Sequence, residues 1–558
     1  MNRLLLYIHT LRYLKPSQLF YLGLRRVCPA KHPQAVKHLP KLRSGTLFHE
    51  GLHSGRSWKG DDAVEFLNQS RSFPGGQIDW VCASMPKLWR YNLHYFDCLQ
   101  DPSLNEKFKR NLIDDWIARV RPGAEDAWEP YPVSLRIVNW IKFFLSCSVQ
   151  GSAEWTTSLY RQASWLERNL EHHLLANHLL KNGVAMVFAG LYFDGADADR
   201  WLKTGMKILE HEVDEQFLQD GGHFERSPMY HSICVVDYLD VINLLKTSQD
   251  HAYASAIERF AARMRGAVDF LQAIAHPDGE IPLFNDSATG IAPTPQRIAD
   301  YARRVMGHAV VPQGQGLTVI EKPYSGYYVI ADGPTKMVID CGEVGPPYQS
   351  GHAHCDTLSY ELSVNGQRLV VDSGVYDYEP GLNRQYARST AAHNSVLIDH
   401  AEQSQMWGGF RVAKRARPLY ARACRVSERR ATFTGAHDGY RRLAGKPVHE
   451  RSIDYHNRVW MINDRVVGQG RHTMISYVHL DPKFIATLSG RRIDVHDGQG
   501  ARRALIEVEG EGEVSLQASR YFPEFGKESS NTAVVFTVSG DAPMTMAYSI
   551  RADCSEIG

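Results

Sequence analysis

The sequence predicts an α+β multidomain chain in which a helical domain is followed by an antiparallel β-sandwich. In the first part apolar residues recur with helical spacing, as Ile137, Ile141 and Phe144 do. From about residue 318 the period changes to two, and runs such as 458–462 are bounded by Gly, Asn and Asp. The glycine-rich stretch 306–317 between the two parts is typical of a linker.

These changes of period predict the domain boundaries. Residues 1–60 form an N-terminal extension, 61–305 the helical domain, 306–317 the linker and 318–558 the sandwich domain. Helices are expected near 103–120, 154–171, 174–193, 198–218, 229–247 and 253–275. The short connections between them indicate antiparallel helix pairs stacked in an arc or ring.

The composition is that of a soluble globular protein. The chain has 558 residues, of which 43% are hydrophobic and 22% charged, enough for several domains. Its formal net charge of +1 indicates no overall attraction to nucleic acid or to a membrane. The apolar run at 4–8 is short and lacks a cleavage site, and no apolar segment reaches the roughly 18 residues of a membrane span. We therefore expect a cytoplasmic protein without a signal peptide or membrane span.

Two polar segments of the helical domain contain candidate catalytic residues. Asn177 and His178 open a helix, where Asn is also a good N-cap, so a purely structural role for Asn177 stays open. A glycine-bearing loop leads into a helix that starts at Ser227 and places Tyr230 in its first turn. Packing is the alternative role for a tyrosine at this position.

A third polar segment, residues 89–97, is rich in aromatic and amide side chains of the kind that line sugar-binding clefts. Its candidate substrate-binding residues are Tyr91, Asn92, His94 and Tyr95. The same segment could equally be a packed corner between helices.

The sandwich domain contains histidines and a carboxylate that suit a metal ion. His352 and His354 lie one residue apart, and an Asn-Gly hairpin turn carries Asp372 back toward His354. In an extended segment the two histidines face the same side, so one could bind metal while the other reaches into a cleft. With His393, this set suits zinc or a similar divalent ion. Ordinary histidines in a polar loop are the alternative.

Taken in order, these segments resemble the heparinase II/III-like family of polysaccharide lyases, relatives of heparinase III and some alginate lyases. The resemblance extends from about Trp89 through the sandwich and implies an incomplete α/α toroid joined to a β-sandwich. The segments that carry it are 89–97, Asn177-His178, 226–231, 282–287, 351–356, Asp372-Ser373-Gly374 and His393-Asn394-Ser395.

The resemblance implies cleavage of a uronic-acid polysaccharide by β-elimination. Asn177, aided by His178, would neutralise the uronate carboxylate, and Tyr230 and His352 would serve as base and acid. The implied metal ligands are His354, Asp372 and His393. Zinc in a structural role fits two imidazoles better than calcium does, although calcium and manganese are not excluded.

Further contacts to the anionic sugar are expected from His231, Arg384, Tyr386 and Arg388. Arginine suits a bidentate contact with carboxylate or sulfate, but surface exposure is the simpler role for at least one of the two. His231 could instead be structural.

Two other functions remain open at this point. A glycoside hydrolase on the same fold would need two carboxylic acids, for which Glu225, Asp286 and Asp356 are the candidates. In a glycan-binding or assembly protein without catalysis, the same residues would only bind the sugar. The expected partner is an anionic polysaccharide and not nucleic acid, and such a substrate makes the periplasm or the cell envelope the alternative location.

Overall fold

The computed structural model describes residues 3–27, 32–53, 57–60, 62–146, 151–248, 251–311, 314 and 316–552. Antiparallel helices are followed by stacked antiparallel sheets, so the predicted fold class, an α/α toroid with a β-sandwich, is confirmed. Among the described residues, every helix is too short or too polar to cross a membrane.

The helices occupy the first part of the chain and one later loop. They are α1 (Arg3–Leu11), α2 (Pro16–Val27), α3 (Lys87–Leu93), α4 (Glu106–Arg119), α5 (Pro130–Ser146), α6 (Ala153–Glu167), α7 (Ala176–Tyr192), α8 (Ala196–Gln216), α9 (Pro228–Thr247), α10 (Ala254–Ile274), α11 (Pro295–Met306) and α12 (Leu382–Ala387). The helical stretches expected from the sequence correspond to α4 and to α6 through α10. The pattern gave no indication of α1 and α2, which lie in the N-terminal extension.

The strands form antiparallel sheets. They are β1 (Ala63–Phe66), β2 (Gln69–Ser72), β3 (Thr318–Lys322), β4 (Tyr327–Asp332), β5 (Thr335–Asp340), β6 (Tyr360–Val364), β7 (Gln367–Val370), β8 (Val396–Ile398), β9 (Met406–Trp407), β10 (Arg411–Val412), β11 (Pro418–Ser427), β12 (Arg430–His437), β13 (Val448–His456), β14 (Val459–Val467), β15 (Arg471–His479), β16 (Ile485–Ser489), β17 (Arg492–His496), β18 (Arg502–Glu509), β19 (Glu513–Tyr521), β20 (Ser529–Asp541) and β21 (Met544–Ala552).

Three larger sheets build the sandwich domain, beside the two-stranded sheet of β9 and β10. One runs β3-β4-β5-β6-β7, a second runs β11-β12-β13-β14-β21-β18-β17-β16, and a third runs β19-β20-β15-β8. Their inner faces share one apolar core that contains residues of all three sheets, such as Ile339, Ile462 and Phe536. The predicted Asn-Gly turn joins β6 to β7, with Val364 opposite Gln367.

Glycines allow the helix pair α7 and α8 to pack at very short range. A Cβ on Gly190 would lie 2.5 Å from the Cβ of Leu202, and one on Gly205 would lie 2.7 Å from the carbonyl oxygen of Gly183. Because only hydrogen fits at these contacts, any larger residue would push the helices apart.

The sheet β3 to β7 joins the two domains because it is buried on both faces. Along β4, Tyr328 and Ile330 point into the sandwich core, while Tyr327 and Val329 pack against Phe270 of α10. Burial on both faces explains why β4 is almost entirely apolar, and every residue of β5 is buried as well. The domains are thereby held together, so loops from each can contribute to one site.

Candidate active site

Tyr230 lies where the helical domain meets the sandwich domain. As expected, Ser227 is the N-cap of α9, and its side-chain oxygen accepts a hydrogen bond from the Tyr230 backbone N–H at 3.2 Å. The ring of Tyr230 packs on the imidazole of His352 with 4.0 Å between centroids, and its hydroxyl lies 3.1 Å from that of Tyr378. Burial raises the pKa of Tyr230 well above its usual value, so the resting side chain is a phenol.

Asp286 fixes the orientation of His352. The carboxylate is in the helical part of the chain and lies 2.8 Å from Nδ1 of His352, and its backbone N–H donates to the His352 carbonyl at 2.9 Å. The other carboxylate oxygen lies 2.8 Å from Nε2 of His354, and the Arg384 guanidinium pairs with both oxygens. Burial would raise the pKa of Asp286, but Arg384 and the two histidines hold it well below its usual value. Asp286 is therefore an anion and an acceptor, which leaves a proton on Nδ1 of His352 and a lone pair on Nε2.

Glu225 connects Asn177 to His352. Asn177 is in the first turn of α7, but Leu175 is the N-cap residue, so the amide is free of the capping role that the sequence left open. Its Nδ2 donates to Oε1 of Glu225 at 3.0 Å, and Oε2 of Glu225 lies 3.7 Å from Nε2 of His352. That second oxygen is buried and has no hydrogen-bond partner among the described residues. Asn177, Glu225 and His352 thus form one connected group.

The chain that leads into Asn177 has a strained backbone. Leu175 and Ala176 have φ values of 63° and 51°, in the left-handed region that favours glycine. Strain of this kind concentrates where a structure holds functional groups in place.

His178 lies beside this group and carries positive charge more readily than a free histidine. Its Nδ1 is 3.0 Å from Oε1 of Glu171, and its ring is 4.8 Å from that of Tyr131. Burial would lower the pKa of His178, but Glu171 and neighbouring carboxylates raise it above its usual value. Its side chain is 29% exposed, so a ligand can reach it.

Several residues predicted to contact sugar are buried and engaged elsewhere. His94 accepts from the Trp116 indole at 3.2 Å, and Nε2 of His231 bonds the Ala267 carbonyl at 2.9 Å. Each of these two histidines is only 1% exposed. The prediction of direct sugar contact was wrong for both, because their ring nitrogens are used within the core. His231 has the structural role that was its alternative.

The arginines of α12 and the following turn are also buried. Arg384 and Arg388 are each 1% exposed. Arg388 donates to the carbonyl oxygens of Ala353 and Gly409 at 3.1 Å. Arg384 neutralises Asp286, so both guanidinium groups shape the loop that carries His352, and the prediction that they contact the substrate was wrong.

The remaining predicted contact residues are only partly available. The hydroxyl of Tyr91 donates to Glu129, and Nδ2 of Asn92 donates to the Leu88 carbonyl of its own helix at 2.8 Å. Tyr95 is buried, with its ring 6.1 Å from that of Tyr131. Tyr386 bonds Oγ of Ser519 at 2.7 Å. The segment 89–97 is therefore largely the packed corner that was its alternative interpretation.

Sequence reasoning missed Tyr378, Glu171 and Tyr131, which lie against the predicted catalytic residues. No motif marks them. Glu225 and Asp286 were noted, but only as acids for a hydrolase.

The predicted metal ligands form a buried group, although no arrangement of three such donors able to hold a metal occurs within the described ranges. The rings of His354 and His393 have centroids 5.3 Å apart, and both residues are fully buried. Among the residues that the structure describes, Nδ1 of His354 and Nε2 of His393 have no hydrogen-bond partner, while Oδ2 of Asp372 lies 2.7 Å from Nδ1 of His393. The two imidazoles suit a metal ion, and Asp372 orients one of them.

Comparisons with known proteins agree with the fold. Residues 61–304 match the family model described as Heparinase II/III N-terminus, and 315–554 match the one described as Heparinase II/III-like, C-terminal. The crystal structure of heparinase III superposes with a TM-score of 0.68 at 18% sequence identity, covering 86% of this chain and 80% of that one.

Curated relatives have more than one kind of name. The heparin-sulfate lyase of Pedobacter heparinus is 26% identical over 53% of this chain and 49% of its own length. FtsZ-localized protein C of Caulobacter vibrioides is 25% identical over 72% of this chain and 67% of its own. The chain spans about half the length of the curated lyases that it matches. Because the two family models together match most of the sequence, the chain belongs to the heparinase II/III-like family.

Proposed function

We propose that the protein is a polysaccharide lyase that cleaves a uronic-acid polysaccharide by β-elimination and leaves a 4,5-unsaturated uronate end. The observation that carries this proposal is the contact between Tyr230 and His352, with 4.0 Å between ring centroids, at the junction of the two domains. The heparin-sulfate lyases among its relatives support the same chemistry. One relative, FtsZ-localized protein C, has a name that does not mention a lyase.

His352 is the proposed base. Because Asp286 holds a proton on Nδ1, the lone pair of Nε2 is free to take the proton from C5 of the uronate. The imidazolium that results lies between the carboxylates of Asp286 and Glu225, which stabilise its charge.

Asn177 and His178 are proposed to neutralise the uronate carboxylate. Removing the C5 proton spreads negative charge onto that carboxylate, so donors aimed at it stabilise the transition state. Asn177 offers an amide N–H, and His178, with its raised pKa, offers a charged donor.

Tyr230 is proposed to protonate the leaving oxygen. The bond from C4 to the glycosidic oxygen breaks as the double bond forms, and the Tyr230 phenol gives its proton to that oxygen. The tyrosinate regains a proton from the neighbouring imidazolium of His352, which restores both groups. A phenol with a raised pKa is present in the acid form that this step needs.

Hydrolysis fits the site less well. It requires one carboxyl group that can donate a proton and a second that acts as base or nucleophile. Asp286 is held as an anion by Arg384 and two histidines, and Asp356 is buried, where it accepts the Asn285 backbone N–H at 2.8 Å. Glu225 is then the one remaining acid among the three candidates.

We further propose a structural divalent metal, with zinc as the first choice. His354 would hold it through Nδ1 and His393 through Nε2, the ring nitrogens that have no partner in the described part of the chain, and Asp372 would join them by exchanging its bond to His393. The metal would fix the loop that carries His352. Elemental analysis of purified protein should find about one equivalent, and His393→Ala should abolish it. Metal-free protein with the same melting temperature before and after chelation would refute this part.

The substrate class proposed is glycosaminoglycan-like polymer or bacterial exopolysaccharide, and the cytoplasm is the location first expected, with the periplasm or envelope as its alternative. Purified protein should be screened against defined uronate polymers, with ultraviolet absorbance to detect the unsaturated end. Production of unsaturated ends by wild type but not by Tyr230→Phe is the expected result. Shorter chains without unsaturated ends would favour hydrolysis, and binding without cleavage across the panel would favour a noncatalytic role.

A further inference from the structure

The helices α1 and α2 present an apolar face to solvent. The large apolar residues on this outer face are well exposed, including Leu4 at 62%, Ile8 at 51%, Phe20 at 65% and Val27 at 81%. In α1, Leu4, Ile8 and Leu11 repeat at helical spacing, so they form one continuous stripe. We call this surface the N-terminal face, made of Leu4, Leu5, Ile8, Leu11, Leu19, Phe20, Leu22, Leu24 and Val27.

The same two helices bind the body of the protein through their other side, which is polar and aromatic. Lys15, directly before α2, pairs with Glu215 at 2.6 Å, and the Tyr21 ring of α2 stacks on His172 with 4.9 Å between centroids. Tyr7 packs against Trp407 with 4.7 Å between centroids. Ordinary surface helices bury their apolar stripe and expose their polar side, whereas α1 and α2 do the reverse. The apolar face is therefore not the surface that attaches them to the fold.

The N-terminal segment that contains α1 and α2, residues 1–49, has basic residues but no acidic ones. Residues 1–49 contain nine Lys and Arg and no Asp or Glu, although the whole chain has a net charge of only +1. Arg3, Arg12 and Arg26 are exposed beside the apolar stripe. The segment also lies before residue 61, where the match to the N-terminal family model begins. It therefore lies outside the part of the chain that the N-terminal family model matches.

We propose that the N-terminal face docks the protein onto an anionic phospholipid surface. Short amphipathic helices with exposed Leu and Phe and flanking Arg lie in the plane of a membrane interface, with the apolar side chains among the acyl chains and the basic groups at the phosphates. At 9 and 12 residues, α1 and α2 are too short to cross a bilayer, which takes roughly 20 residues. A second protein would also cover apolar surface, but one-sided positive charge matches an anionic bilayer.

The test is sedimentation of the full chain with vesicles, which contain no polysaccharide and so do not depend on the proposed lyase activity. Binding to vesicles of phosphatidylcholine with phosphatidylglycerol should exceed binding to phosphatidylcholine alone by at least about tenfold and should fall with salt. The variant Ile8→Gln, Phe20→Gln, Leu24→Gln should lose about tenfold or more in affinity, because each change removes an apolar anchor.

A matched control removes three exposed apolar residues elsewhere, Val311→Gln, Val426→Gln and Ile485→Gln, and should bind vesicles like wild type. Equal binding to both vesicle types, no binding at all, or equal losses in the two triple variants would overturn the proposal. So would light scattering that shows a wild-type dimer and a monomeric Ile8, Phe20, Leu24 variant, because a second copy would then cover the face.

Discussion

Two buried aspartates in different parts of the molecule have almost the same partners. Asp286 pairs with Arg384 and with His352, and Asp464 pairs with Arg451 at 2.7 Å and with Nε2 of His449 at 2.8 Å. In both, burial would raise the pKa of the carboxyl group, and the arginine charge overcomes that effect and lowers it.

The two groups differ in what lies on the far side of the histidine. The ring of His449 is fully buried, and its other nitrogen lies 3.3 Å from Nε2 of His437 inside the sandwich. The ring of His352 is 13% exposed and faces Tyr230 and Glu225. The same charge network is therefore structural in one place, and in the other it supports a histidine that can reach a ligand.

The largest expected effect is a loss of activity when Asp286, but not Asp464, is replaced by asparagine. Asp286→Asn and Asp464→Asn should each lower the free energy of unfolding by about 3–5 kcal/mol, because each leaves an arginine buried without its counter-charge. Asp286→Asn should also lower kcat per folded molecule by about 10⁴-fold, because Nδ1 of His352 loses its acceptor and the tautomer changes. Denaturant unfolding and rates corrected for folded fraction measure the two effects.

Asp464→Asn is the matched control and should keep its rate per folded molecule within about threefold. If Asp286→Asn kept near wild-type kcat, the role given to His352 would be lost.

A second contrast uses two tyrosines of α9. Tyr230→Phe should lower kcat by about 10²–10⁴-fold with little change in stability, since it removes the proposed proton donor. Tyr238 donates its hydroxyl to the Leu209 carbonyl at 2.9 Å in the core, so Tyr238→Phe should cost about 1 kcal/mol of stability and leave kcat unchanged. Equal loss of kcat in both variants would mean that helix packing, and not the hydroxyl, matters.

A smaller effect is expected at Glu225. Glu225→Gln keeps an oxygen for the Asn177 amide, so kcat should fall only by about tenfold. Steady-state kinetics of both variants tests whether kcat falls less in Glu225→Gln than in Tyr230→Phe. An inactive Glu225→Gln with an active Tyr230→Phe would make a hydrolase the better account.

The smallest effect concerns pH. The pKa of His178 is raised by Glu171, so its charge is present below that raised pKa and is lost as the pH rises through it. The kcat/KM of wild type should therefore fall on the alkaline side, and His178→Gln should be a few-fold slower at neutral pH and lack that fall. His211→Gln, at an exposed histidine of α8, is the control and should keep the wild-type profile. An unchanged alkaline limb in His178→Gln would remove this residue from the mechanism.

Local rules predicted the helical side of the site well. The Ser227 cap followed by a proline sets the start of α9 and so places Tyr230 in its first turn. The Asn-Gly turn predicted the hairpin of β6 and β7. These features depend on neighbours in sequence, which a single sequence shows directly.

The other features depend on contacts distant in sequence. The role of Asp286 arises because its segment docks on the loop of His352, and Arg384 reaches the same carboxylate from α12. Nothing local distinguishes a buried arginine from an exposed one, so Arg384 and Arg388 were expected at the sugar. The exposed apolar face of α1 and α2 is likewise visible only once the helices are docked.

The most direct test of the central claim uses a uronate polymer that the protein is found to cleave. The polymer is digested in water enriched in ¹⁸O, and the newly formed chain ends are analysed by mass spectrometry. The account predicts unsaturated ends without the label, since elimination adds no water. Saturated ends that carry heavy oxygen at the new reducing terminus would contradict it.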